Sequence, residues 1–214
     1  MSKPIVATTS LAGCFGCHMS LLDIDDRILE LIELVDFNKS PVDDIKEFTT
    51  MCDIGLIEGG CCNSENVHVL KDFRKNCKVL VSLGECAIMG GLPAMRNNIP
   101  IRECLEEAYL NGPSTKNANP ERILPNNEEL PIILDKVYPC HEVVKIDYYL
   151  PGCPPRADLI WNALVALVTG DEMKLPYEVI KFDLSESSIE MEKKITIEPV
   201  TRVEGHGKVT IHID

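Results

Sequence analysis

The sequence lacks three features that would each indicate a different class of protein. It has no excess of basic residues, because 34 Asp and Glu stand against 21 Lys and Arg, a formal charge of −13. It has no apolar run near the ~18 residues that a membrane helix needs. Its N-terminus shows neither a secretory signal nor a twin-arginine pair. We therefore predict a cytoplasmic protein that has no membrane span and no nucleic-acid partner.

Cysteine, in contrast, is abundant, with ten in 214 residues. A chain of this length builds a core without disulfides, and cysteines at fixed spacings in a reducing cytosol more often bind metal or take part in redox chemistry. Cysteine is also a common buried residue, so most of the ten can serve packing alone. The spacing along the chain therefore has to identify the few that carry chemistry.

Apolar periodicity predicts strands and helices in alternation. Four short apolar segments are typical of buried strands: 4–8, 54–57, 78–82 and 144–150. Three longer segments are typical of helices: 21–35, 65–75 and 158–168. A polar stretch at 112–130 predicts a long surface loop. The pattern predicts an α/β fold, a parallel sheet with helices on both faces.

Cysteines follow the carboxyl ends of the predicted strands. Cys14 and Cys17 follow the first strand, Cys86 the third and Cys153 the fourth, while the adjacent pair at 61–62 follows the second. The carboxyl ends of parallel strands meet at one edge of a sheet, and ligands bind there. We therefore expect these cysteines to converge.

The C-x-x-C turn, residues 14–17, is compatible with several chemistries. A thioredoxin-like dithiol places such a pair at a helix N-terminus, and with His18 the string also fits attachment of c-type haem, which normally happens outside the cytoplasm. Zinc takes the same ligands, and two structural cysteines are the plainest alternative. An iron–sulfur cluster takes four thiolates. A dithiol would not need Cys86 and Cys153, whereas a cluster accounts for all four positions, and zinc stays open on ligand type alone.

These residues and their surroundings resemble the small subunit of NiFe hydrogenases, in particular the short form of soluble NAD-linked enzymes. The resemblance runs through nearly all of residues 4–183, and its most specific segments are 13–17, 58–60, 84–96, 137–144 and 151–155. It implies a flavodoxin-like domain over residues 1–183 with a 4Fe–4S cluster at the C-terminal ends of the strands. The ligands that it implies are Cys14, Cys17, Cys86 and Cys153.

The same resemblance implies electron transfer as the function. The cluster would lie proximal to a NiFe centre held by a separate large subunit, and would relay electrons between that centre and a flavin-containing diaphorase that reduces NAD(P). The implied partners are therefore the large subunit and the diaphorase subunits. Relatives with this type of sheet also bind FMN, to which no residue here is assigned.

Two alternatives stay open beside this interpretation. The cluster-bearing subunit of a complex I-like oxidoreductase shares the turn at 151–155, although it typically has adjacent cysteines in its first loop. A thioredoxin-like dithiol protein would use Cys14 and Cys17 alone. One departure from the hydrogenase pattern is that export-type members place a Glu just after the C-x-x-C turn. The nearest carboxylate along this sequence is Asp23, so we expect a proton route there to be altered or absent.

The C-terminal stretch has a different character. Residues 184–190 are polar and acidic, which predicts a linker, and residues 191–214 resemble the start of a hydrogenase large subunit. The R-x-E-G-H motif of that subunit falls at 202–206, and Glu204 corresponds to the Glu that passes protons near the metal. We hypothesise a fusion of small and large subunits, with an edge hairpin that docks on the sheet as the alternative. The nickel-binding cysteines of a large subunit are absent, so this chain is not expected to split hydrogen alone.

Overall fold

The computed structural model describes residues 3–116 and 123–170. The predicted linker at 184–190, the tail at 191–214 and Glu204 lie outside the described residues. Seven strands lie within these two ranges: β1 (Ile5–Ser10), β2 (Asp36–Phe37), β3 (Cys52–Glu58), β4 (Cys61–Asn63), β5 (Cys77–Leu83), β6 (Ile133–Tyr138) and β7 (Tyr148–Leu150). The same part of the chain holds six α-helices: α1 (Gly16–Leu22), α2 (Arg27–Leu34), α3 (Ser64–Asn76), α4 (Glu85–Met89), α5 (Ile101–Glu106) and α6 (Ala157–Thr169).

Five of the strands form a parallel sheet in the order β2-β1-β3-β5-β7. Numbered within the sheet, this is the order 2-1-3-4-5 of flavodoxin-like folds, so the predicted fold class is confirmed. The remaining pair, β4 and β6, forms a separate antiparallel ribbon. In such a sheet the site of function is expected at the carboxyl ends of the strands.

Helices cover both faces of the parallel sheet. One core layer packs side chains of α1, α2 and α6 against the sheet, and the other packs α3 against the opposite face. Cys52 and Cys77 begin neighbouring strands in direct register and are buried in the second layer, where they serve packing. No helix in the two described ranges combines the length and apolarity needed to cross a membrane.

The predicted helix at 21–35 is wrong as a single element. The structure divides it into α1 and α2, with a turn between them in which Asp25 adopts a left-handed φ of 55°. Asp side chains favour turns because they hydrogen-bond nearby backbone groups, and this segment has three of them close together. The predicted strand at 144–150 is also shorter, and only Tyr148–Leu150 pairs with β5.

Candidate metal centre

The structure brings Cys14, Cys17, Cys86 and Cys153 to the carboxyl edge of the sheet, and we call them the four-cysteine site. Cys14 lies in the loop after β1, Cys17 in the first turn of α1, Cys86 in α4 and Cys153 in the turn after β7. Cys17 is buried and Cys86 half-buried, whereas Cys14 and Cys153 are exposed. The site is therefore open to one side of the molecule and closed by the sheet on the other.

The four thiols are close enough to affect one another. Burial raises the pKa of Cys17 to about 12, and the charges of Glu58, Cys86, Cys14 and Cys153 add to the rise in that order. Burial also raises the pKa of Cys86, and the thiols of Cys153 and Cys14 raise it further. Four thiols that oppose one another's ionisation are stabilised as thiolates when a cation binds among them.

Glycines pack against three of the four sulfur atoms. The distance from an ideal Cβ to the nearest Sγ would be 2.4 Å at Gly84 (to Cys17), 2.9 Å at Gly91 (to Cys86) and 3.0 Å at Gly16 (to Cys14). Gly84 and Gly91 also have positive φ angles, of 82° and 51°. Side chains at these positions would displace the sulfurs, so the glycines form a cradle that keeps backbone close to the four-cysteine site.

Backbone N–H groups point at two of the sulfurs. The N–H of Gly16 donates to Sγ of Cys14 over 3.3 Å, and the backbone N–H of Leu92 lowers the pKa of Cys86, against the larger effect of burial. Hydrogen bonds of this kind stabilise negative charge on a thiolate. The surroundings therefore suit sulfur atoms that carry charge.

Polar contacts join the cysteine loops to one another. The N–H of Glu85 donates to the carbonyl oxygen of Gly152 over 3.1 Å, and the N–H of Gly152 donates back to Oε1 of Glu85 over 3.0 Å. The hydroxyl of Ser20 on α1 donates to the carbonyl oxygen of Pro155 over 2.5 Å. These bonds fix the turn that carries Cys153 against α4 and α1.

Glu58 is a buried residue of this site that the sequence prediction missed. It ends β3, and its carboxylate accepts hydrogen bonds from the N–H groups of Cys17 and His18 and from the His18 ring. Asp23, the nearest carboxylate along the sequence, lies exposed at the far end of α1, so the carboxylate that contacts this turn in space is Glu58. The sequence held one signal for Glu58: it is a charged residue directly after an apolar segment, 54–57, that is typical of a buried strand.

The adjacent pair at 61–62 does not join the four-cysteine site. Cys62 donates from Sγ to Oδ1 of Asn66 over 3.3 Å. Cys61 is buried beside Cys140, whose own Sγ donates to the carbonyl oxygen of Gly59 over 3.3 Å. These three cysteines have local partners and a packing function.

The metal-free, reduced chain is expected to lose stability as the pH rises above 9. Burial raises the pKa of Cys17 and Cys77 to about 12 and that of Cys61 to about 11, from an ordinary value of 9.0. Above pH 9 the unfolded chain therefore binds fewer protons than the folded one. At pH 10 each thiol removes about 1.4 kcal/mol of unfolding free energy.

Urea unfolding under reducing conditions at pH 8 and pH 10 measures this loss. The Cys77→Ala variant provides the control, because its drop between the two pH values should be smaller by about 1.4 kcal/mol, the contribution of one thiol. Equal drops in the variant and the parent chain would contradict the raised pKa of Cys77.

Several known proteins are similar to this chain in sequence or fold. Residues 14–167 match the family described as the 20 Kd subunit of NADH ubiquinone oxidoreductase, and residues 194–214 match the family described as HoxL-like. The chain is 46% identical over 178 residues to the NAD-reducing hydrogenase HoxS subunit delta of Cupriavidus necator, a match that covers 83% of this chain and 85% of that subunit.

Two further matches are also to hydrogenases. The F420-non-reducing hydrogenase of Methanothermobacter thermautotrophicus has a subunit that is 40% identical over 177 residues, and the match covers 80% of this chain but 55% of that relative. A chain in the crystal structure of an NAD+-reducing NiFe-hydrogenase in the H2-reduced state superposes with a TM-score of 0.79 and 49% identity. That match covers 85% of this chain and 99% of the other.

The predicted resemblance to hydrogenases is therefore confirmed, and the complex I alternative falls in the same broad family. The family match spans more than two thirds of the chain, and the hydrogenase delta subunit matches over most of both lengths. The chain belongs to the family of the NADH ubiquinone oxidoreductase 20 Kd subunit, as a homologue of the small subunits of NAD-reducing NiFe-hydrogenases.

Proposed function

We propose that this chain is the electron-transfer subunit of a NiFe hydrogenase, and that its four-cysteine site holds one 4Fe–4S cluster. The observation that carries the proposal is the convergence of four mutually interacting thiols from three separate segments of the chain at the carboxyl edge of the sheet. Such a cluster, when bound, accepts and releases one electron at a time. The sulfurs of Cys14, Cys17, Cys86 and Cys153 would each bind one iron.

The similarity to hydrogenase subunits supports a cluster over a single zinc ion. Zinc has no redox chemistry, whereas an iron–sulfur cluster exchanges single electrons, as a subunit of an oxidoreductase requires.

The surface beside the site supports a protein partner. Met19 follows Cys17 on α1, Met89 ends α4, and Leu92 and Met95 lie on the 3₁₀ helix that comes next; all four are exposed, Leu92 by 74%. Exposed apolar residues around a functional site indicate an interaction surface. We assign this surface to a large subunit that carries the NiFe centre.

The diaphorase partners, the location of the complex and FMN belong to the same proposal. Electrons would pass between the large subunit and NAD(P)-reducing diaphorase subunits, and we propose the cytoplasm as the location of the complex. FMN stays a prediction of the family resemblance, and we assign it no residue.

Anaerobic purification of the full chain with its co-purifying partners tests the proposal. Iron, sulfide and zinc would be counted per chain, and absorption and low-temperature EPR spectra recorded before and after dithionite. We expect about four iron and four sulfide per chain, with a broad absorption that dithionite bleaches. Zinc, a sharp Soret band of haem, or no metal despite anaerobic handling would each overturn it.

A second proposal concerns the tail at residues 191–214. We infer that it is the beginning of a large-subunit sequence joined to the small-subunit domain at 1–183 by the linker at 184–190. The match of residues 194–214 to the HoxL-like family supports this inference. Glu204 would then serve in proton transfer once the tail is seated in a large subunit.

Binding tests this second proposal directly. A tagged peptide of residues 191–214 is expected to bind a large subunit from which the corresponding segment has been deleted, and to bind the intact large subunit much more weakly. Failure to bind the deleted form would sink the proposal. A Glu204→Gln peptide should bind equally well, since the carboxylate is assigned to proton transfer and not to docking.

A further inference from the structure

Glu58 is a buried carboxylate whose hydrogen bonds all go to two residues of the C-x-x-C region. It is 1% exposed. Oε1 accepts the N–H of Cys17 over 3.3 Å, and Oε2 accepts both the N–H of His18 over 3.1 Å and the ring Nδ1–H of the same histidine. A buried charge is costly unless it is paired and hydrogen-bonded, so these three bonds account for its burial.

The helix that begins at this point has no cap of its own. Phe15 occupies the N-cap position of α1, and it offers no side-chain hydrogen bond to the first turn. The N–H groups at the start of a helix need acceptors from outside the helix. Glu58 supplies them from the end of β3, about forty positions further along the chain. A strand of the sheet thus holds the turn that presents Cys14 and Cys17.

His18 extends the support to the tip of the turn. It is fully buried, and its ring stacks on that of Phe15 with the centroids 4.6 Å apart and the planes 7° from parallel. Phe15 has a φ of 66°, a left-handed conformation that residues with a β-carbon rarely adopt. The column from Glu58 through His18 to Phe15 therefore supports a strained residue that lies between Cys14 and Cys17.

We infer that Glu58 is a positioning residue for the C-x-x-C half of the four-cysteine site. It fixes the first turn of α1 through two backbone N–H groups, and it fixes Phe15 through His18, so both sulfurs are directed before any metal binds. Glu58 is not itself a ligand. The inference rests on the proposed function, because it assumes that Cys14 and Cys17 bind the cluster.

Two variants of Glu58 and one matched control test the inference in the full chain, purified anaerobically with its partners. Glu58→Ala removes every acceptor, and Glu58→Gln keeps one oxygen. The control is Asp147→Asn, because Asp147 is another partly buried carboxylate. It accepts a hydrogen bond from the backbone N–H of Leu80 over 2.9 Å and forms an ion pair with Arg74 over 2.6 Å. Asp147 anchors β5 beside β7 and touches no cysteine of the site.

The measurements are the EPR spectrum of the reduced protein and the rate of iron loss to a ferrous chelator. We expect Glu58→Ala to lose iron about tenfold faster or more, which is what the loss of one charged hydrogen bond corresponds to. Its EPR spectrum should differ from that of the parent chain. The rate of iron loss from Glu58→Gln should lie between those of the parent chain and Glu58→Ala. Asp147→Asn should match the parent chain in both measurements.

The outcomes separate this inference from the proposed function. Parent-like iron loss and EPR in Glu58→Ala would overturn the positioning role while leaving the cluster in place. Equal losses in Asp147→Asn would show general destabilisation and overturn it as well. A parent chain without iron would overturn the proposed function and this inference together. Where Glu58→Ala fails to fold, the comparison of Glu58→Gln with Asp147→Asn decides, because a parent-like spectrum in Glu58→Gln contradicts a role for the carboxylate.

Discussion

A Cys153→Ser variant is expected to lose the four-iron cluster and, with it, at least about a hundredfold of the hydrogen-dependent electron transfer, the upper end of the loss seen when support of a metal site is removed. Cys153 is the one predicted ligand supplied by the turn after β7. A serine hydroxyl ionises far less readily than a thiol and is a harder donor, so it is a poor substitute on iron. Without its fourth thiolate the cluster would have an open, labile corner, and we therefore expect it to be lost.

Cys104→Ser is the matched control for this prediction. Cys104 lies half-buried on α5 and has no interaction with the four-cysteine site, so this variant should keep about four iron per chain. Iron and sulfide analysis, EPR and reduction of a dye by hydrogen measure both variants in the complex. Parent-like iron and EPR in Cys153→Ser would remove Cys153 from the ligand set and favour dithiol chemistry at Cys14 and Cys17.

The sequence predicted those helices and strands whose position follows from the apolar pattern of a single segment. The helix predicted at 65–75 is α3 (Ser64–Asn76), and the strand predicted at 78–82 is β5 (Cys77–Leu83). Both are long enough for apolar periodicity to show, and both are buried on predictable faces. The convergence of the four cysteines followed from one topological rule, that parallel strands end at the same edge.

The parts that were not predicted depend on contacts between distant segments. Nothing near Glu58 in the sequence shows that its carboxylate turns back to Cys17 and His18, because the partners are about forty positions away. The short strands β4 and β6 pair across an even longer separation, about seventy positions, and carry little periodicity of their own. The break at Asp25 required knowing which of several aspartates would adopt a left-handed φ.

Gly84→Ala is expected to abolish cluster binding although it adds a single methyl group. The new Cβ would lie 2.4 Å from Sγ of Cys17, and the Gly84 N–H is already held by the carbonyl oxygen of Leu150 over 2.8 Å. The backbone therefore cannot retreat without breaking the alignment of β5 with β7. Gly84 also has a φ of 82° and a ψ of 166°, a region reserved for glycine, so alanine adds strain of about 1–3 kcal/mol.

Gly170→Ala separates the steric effect from the cost of a positive φ. Gly170 follows α6 with a φ of 75°, and an added Cβ there would have no described atom within 4 Å. This variant should lose about 1–2 kcal/mol of unfolding free energy in the iron-free chain while keeping four iron.

Iron analysis, EPR and urea unfolding compare Gly84→Ala with Gly170→Ala. Four iron and a parent-like spectrum in Gly84→Ala would show that the cradle is not required, whereas iron loss in both variants would trace the effect to stability. Iron loss confined to Gly84→Ala means that the position of the Cys17 sulfur, and not the stability of the sheet, decides whether the cluster binds.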